Sequence, residues 1–145
     1  MRFEVGLALL VLVGACSQKQ RMPEARPLSS GGSEVEINRV IESALQADSR
    51  LHPADSLYAP HAVVIADGRV RRPPPRYAGV GGAGEIAITN TQIEIRSHAA
   101  WGDVEYRWVS GRSNAAQIGR ASFVLTPAQG RPGWWIVQAH SSVAR

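Results

Sequence analysis

Only one cysteine, Cys16, occurs in the 145 residues, so no disulfide within the chain can support the fold. Histidine is nearly as scarce. His52, His61, His98 and His140 are dispersed, with no cysteine and carboxylate cluster at ligand spacing around them, so no metal is expected. The glycine-rich run Gly79-Val80-Gly81-Gly82-Ala83-Gly84 lacks a following Walker lysine and a surrounding strand–loop–helix unit, which removes the usual nucleotide loop. A serine nucleophile has no G-x-S-x-G elbow to sit in. No cofactor is implied. Long apolar runs are also lacking, since Val5 to Val13 falls well short of the roughly 20 residues that cross a bilayer as a helix.

That short run has the length of a signal-peptide core and follows Arg2, although Glu4 weakens the positive leading segment. Val13-Gly14-Ala15-Cys16 resembles the bacterial lipobox, an aliphatic residue and two small ones before a cysteine. The resemblance implies cleavage after residues 1–15, with the Cys16 thiol accepting lipid. Each acyl methylene contributes about 0.8 kcal/mol of membrane affinity, so several chains on one residue hold a protein at a surface. Membrane lipid is then the first expected partner, and the bacterial cell envelope the expected location. Ser17, rather than aspartate, resembles the pattern for sorting to the periplasmic face of the outer membrane in double-membraned bacteria. The alternative is that Val5 to Val13 forms a buried helix of the folded domain.

A net charge of +4 survives removal of residues 1–15, because Arg2 and Glu4 leave together. Such a balance suits nucleic acid, anionic headgroups or plain solubility. Arg69, Arg71, Arg72 and Arg76 form the one local cluster, and they surround Pro73, Pro74 and Pro75 rather than line a helix or an aromatic-bearing strand. No nucleic acid partner is therefore expected, while a contact between this cluster and lipid headgroups remains open.

Residues 16–32 have almost no apolar content after the cysteine and read as a lipidated, flexible tether. Residues 33–145 have the size of one compact domain. Ser33-Glu34-Val35-Glu36 has the form of a capping box, which predicts a helix starting there. Ile37, Val40, Ile41, Ala44 and Leu45 recur at spacings of three and four, and Asp48 lies on the extension of that face. An inward carboxylate must find a donor or shift its pKa upward; the other possibility is a frayed end where Asp48 caps the next turn. His52-Pro53 ends the helix. A short turn is expected over Ala54 to Tyr58, and His61 to Ala66, Asp67-Gly68 and Arg69 to Arg71 read as a tight hairpin. Residues 73–84 should hold no regular element. Beyond them Ile86 to Ser97, Ala99 to Val109, Ala115 to Thr126 and Trp134 to Ser142 read as an antiparallel meander. A helix followed by such a sheet is an α+β layout.

Three pieces of the chain resemble the nuclear transport factor 2-like superfamily, in its SnoaL-like and polyketide-cyclase-like branch. They are the helix ending in Ala47-Asp48, the segment Leu57-Tyr58-Ala59-Pro60-His61-Ala62-Val63-Val64-Ile65-Ala66-Asp67-Gly68, and Gly133-Trp134-Trp135-Ile136-Val137-Gln138-Ala139-His140-Ser141-Ser142. The resemblance implies a cone-shaped, cystatin-like roll, with the N-terminal helix on a curved, mainly antiparallel sheet and a pocket between them. Asp48 and His140 become the candidate pocket or catalytic residues. Tyr58, Tyr77, Glu105, Tyr106, Arg107, Trp108 and Trp134 become candidates for the pocket lining. In a regular last strand Trp134, Ile136, Gln138, His140 and Ser142 share one face, which turns His140 inward. A core histidine bonded to backbone is the plainer explanation for that position.

Along Val104 to Val109, Val104, Tyr106 and Trp108 share one face and Glu105 and Arg107 the other. If the charged pair faces inward it joins Asp48 and His140; facing outward, the commoner placement, it is solvated. Two departures from the family stand out. The prolines and glycines of residues 73–84 occupy the place of a helix that commonly closes the cone. The first helix also lacks the tyrosine that steroid-isomerase chemistry needs beside its carboxylate base.

Three functions remain open. The chain is an envelope lipoprotein whose cone binds a small, partly apolar ligand or a protein. Alternatively it is an isomerase, cyclase or dehydratase in which Asp48 or His140 moves a proton. In the third, it is a homodimeric module that associates through its sheet.

Overall fold

The computed structural model describes residues 30–144. Helix α1 spans Ser30–Ser49, and a 3-10 turn follows at Asp55–Leu57. Strands β1 (Tyr58–Ala66), β2 (Arg69–Arg71), β3 (Gly84–Arg96), β4 (Ala99–Ser110), β5 (Ala116–Pro127) and β6 (Trp134–Val143) form one sheet in the order β2-β1-β6-β5-β4-β3. Every neighbouring pair is antiparallel except β1 with β6. The lipobox, the signal segment and nearly all of the tether lie outside the described residues.

The helix starts earlier than Ser33, which therefore sits inside α1 instead of capping it. Its apolar stripe behaves as its spacing requires. Ile37, Ile41 and Leu45 are wholly buried in one core with Val104, Phe123, Leu125 and Ile136. Each such side chain contributes about 1.5–3 kcal/mol by leaving water. Gly102 in β4 is part of that fit, because a side chain there would collide with the tip of Ile41.

The β1–β2 hairpin turns on Asp67 and Gly68, with φ of 48° and 76°, the pair of positive angles that a two-residue hairpin matched to strand twist demands. Two bulges bend the sheet further. In β3 the register slips between Ile88 and Asn90, so the helix-facing residues change from Ile86 and Ile88 to Thr91, Ile93 and Ile95. In β6, Val124 pairs with Gln138 and Leu125 with Ile136, which leaves Val137 as the extra residue. Trp134 and Ile136 face the core, and beyond the bulge Ala139 and Ser141 take over that face. The expected common face of Trp134, Ile136, Gln138, His140 and Ser142 is thereby broken.

Candidate functional site

Asp48 is the point from which the interior is organised. It follows Ile41, Ala44 and Leu45 on the inward stripe of α1 and is only 2% exposed. Its carboxylate accepts the Arg76 amide at 2.7 Å on Oδ1 and 2.8 Å on Oδ2, and the Tyr77 amide at 3.0 Å on Oδ2. The donors are main-chain groups of the segment 72–83 between β2 and β3. Having three prolines and no apolar period, that segment forms no helix, so its amides are free to bond elsewhere.

Its next residue is fastened just as firmly. The Ala78 amide donates to Ser141 Oγ at 2.9 Å, and the Tyr106 hydroxyl donates to the Ala78 carbonyl at 2.5 Å. Gly119 makes room for this tyrosine, since a side chain at 119 would strike the Tyr106 ring. Tyr77, 2% exposed, packs its ring 5.5 Å from that of Phe123 and shares a 2.7 Å hydrogen bond with the Tyr58 hydroxyl. Arg76 lays its guanidinium over the Tyr58 ring at 4.7 Å and pairs with Asp55 at 2.7 Å. The loop therefore enters the hollow between helix and sheet and fills it.

Burial sets the electrostatics. It pushes the Asp48 carboxyl above the usual carboxylate range, while the Arg76 and Tyr77 amides and the Arg76 charge pull it part of the way back. Burial also raises the hydroxyls of Tyr58, Tyr77 and Tyr106, so all remain protonated hydrogen-bonding groups. For Arg76, burial acts against the charge, but Asp55 and Tyr58 outweigh it and the guanidinium stays cationic.

Among the residues singled out in the sequence, Asp48, Tyr58, Tyr77, Tyr106, Trp108 and Trp134 lie buried or half-buried on the inner side. Glu105, Arg107 and His140 do not join them. Alternation along β4 turns Glu105 and Arg107 outward, and the Val137 bulge turns His140 outward, opposite Ser122 of β5. Asp48 and His140 thus occupy opposite sides of the sheet and form no acid–base pair. On the outer side Glu105 pairs with Arg120 at 2.9 Å and Ser122 donates to Asp103 at 2.5 Å. These groups and His140 line an open groove of about 350 Å³. Among the described residues no three His, Cys, Asp or Glu side chains come together as metal ligands.

Asp55, Arg76, Ala78 and Ser141 were not foreseen as parts of one interior network. Their contacts are made largely through main-chain atoms, which residue identity does not advertise. The one available signal was Arg76-Tyr77, a cation and an aromatic set in a proline- and glycine-rich segment.

No protein-family model and no curated protein matches the chain. Solved structures do. A nuclear transport factor 2-like superfamily protein from Salmonella enterica superposes with a TM-score of 0.64 at 18% identity, over 81% of this chain and 94% of that one. A nuclear transport factor 2-like protein with a cystatin-like fold from Novosphingobium aromaticivorans gives 0.61 at 8% identity, covering 77% and 82%. The association domain of CaMKII from C. elegans gives 0.56 at 18% identity, covering 77% and 95%. One helix on a six-stranded mixed sheet, in this order and curvature, is the α+β cone of the cystatin-like, nuclear transport factor 2-like fold.

Proposed function

We propose that this chain is a noncatalytic association module, held at a bacterial envelope membrane by acylated Cys16 and pairing with a second copy through the outer face of its sheet. The observation that carries the noncatalytic reading is the commitment of Asp48. Both carboxylate oxygens are engaged by loop amides, and the histidine that would complete a proton relay faces the other way. A general base must reach its substrate proton directly or through one water. The filled hollow gives Asp48 no such approach.

The outer face supports the association reading. Asp103 and Glu105 on β4 and Arg107 and Arg120 on β4 and β5 give this face two charges of each sign, and Trp101 and Ile118 stand 41% and 47% exposed on it. A patch carrying both signs lets opposite charges face each other across a two-fold axis, as a self-complementary interface requires. The family likeness adds that one protein of this fold is itself named an association domain.

Light scattering on the full chain bearing Cys16→Ser tests the pairing. The dimer mass is expected, with conversion to monomer in I118E/R120E; a monomer at micromolar concentration rejects the reading. The anchor is tested separately by mass spectrometry of the N-terminal peptide from membranes. Acylated Cys16 is the expected result, and an unmodified, uncleaved N-terminus rejects it.

A further inference from the structure

Strand β1 parts from β6 between Tyr58, paired with Ile136, and Val63, paired with Gln138. The register slips there, and a cleft of about 620 Å³ opens between the two strands, the 3-10 turn and the loop after β2. Three guanidiniums, Arg71, Arg72 and Arg76, line it together with His61, against the single carboxylate of Asp55. An excess of fixed positive charge in a concave site draws anions and concentrates the field.

Arg76 differs from a surface arginine. It is 8% exposed, its Nη2 is held by Asp55, and its buried Nε has no hydrogen-bond partner. A buried donor without an acceptor is costly, and a guanidinium edge presenting Nε and Nη matches the two oxygens of a carboxylate or phosphate. The opposite wall is apolar, made by Pro60, Val63 and the half-buried ring of Trp135. Arg131 stacks on Trp135 at 5.2 Å and donates to the Ser56 carbonyl, so the wall is tied to the 3-10 turn before any ligand arrives.

We infer that this cleft binds a small soluble organic oxyanion, with its carboxylate or phosphate on Arg71, Arg72 and Arg76 and an aromatic or aliphatic body against Trp135, Pro60 and Val63. The inference is independent of how the protein associates.

Titration of the full chain bearing Cys16→Ser with benzoate and with phenyl phosphate, followed by the NMR signals of the Trp135 indole and the Arg76 Nε–H, tests it. Saturable shifts of both signals with at least one probe at millimolar concentration are expected. Arg71 and Arg72 are exposed, so R71Q/R72Q keeps its fold and should weaken binding about tenfold or more, given the strength of charge-assisted hydrogen bonds. R39Q/R112Q, which removes two exposed charges outside the cleft, should leave it unchanged. Absence of saturable shifts, equal weakening in both double variants, or binding to phosphatidylglycerol vesicles without binding to either soluble probe overturns the inference.

Discussion

Asp48 grips the main chain of Arg76 across 28 positions of sequence, with both carboxylate oxygens within 2.8 Å of one amide. A side chain on the helix thereby fixes a segment with no regular structure of its own. The same contact explains why the hollow of the cone is filled. Tyr77 and Ala78 follow Arg76 inward, where Tyr58, Tyr106 and Ser141 hold them.

Removing the acceptor should therefore be expensive. Asp48→Ala leaves two buried amides unpaired, each worth about 1–3 kcal/mol, so a loss of about 2–6 kcal/mol is expected. Asp48→Asn keeps one acceptor oxygen and should lose less. Urea unfolding of both variants checks the ordering; an Asp48→Ala loss below the Asn loss contradicts it.

The pH response follows from the direction of the Asp48 shift. Because burial raises the folded carboxyl above its ordinary 3.8, the folded chain holds this proton more tightly than the unfolded chain does. The resulting stability is fully present below pH 3.8 and is lost as pH rises through the folded value. The Tm of the unsubstituted chain minus that of Asp48→Asn should fall over that window and then level off. A difference that grows instead means the amide donors dominate over burial.

Gly119→Ala should be costly for a different reason. The new methyl meets the Tyr106 ring, and that ring cannot swing away without releasing the Ala78 carbonyl. Overpacking of this kind costs about 1–3 kcal/mol. Gly102→Ala meets only the flexible tip of Ile41 and should cost less. Thermal unfolding of the two variants provides the comparison, and equal losses would remove the special role of Tyr106.

Much of this architecture is legible in the sequence. The stripe Ile37, Ile41, Ala44, Leu45 marks the buried face of α1 and Asp67-Gly68 marks the hairpin turn, because spacing and turn chemistry point one way in each. Asp48 at the end of the stripe has two placements open, and the structure takes the inward one. Along β4 the alternation separates Val104, Tyr106 and Trp108 from Glu105 and Arg107 but leaves open which set faces inward, and the structure buries the first. The β6 face is a different case. Trp134, Trp135, Ile136 and Val137 are apolar on both parities, so nothing along the strand reveals the extra residue that turns His140 outward. In β3 the bulge did leave a trace, since the isoleucines shift from positions 86 and 88 to 93 and 95. The loop was harder still. Its anchoring groups are amides and a carbonyl, present in nearly every residue, and their partners lie far along the chain.

Hydrogen exchange at the Arg76 and Tyr77 amides measures the filling of the cone most directly. Protection comparable to that of central β4 and β5 amides is expected for both, falling sharply in Asp48→Ala. Exchange as fast as that of the exposed turn at Asp67-Gly68 would show an open hollow, returning the pocket to contention and contradicting the account.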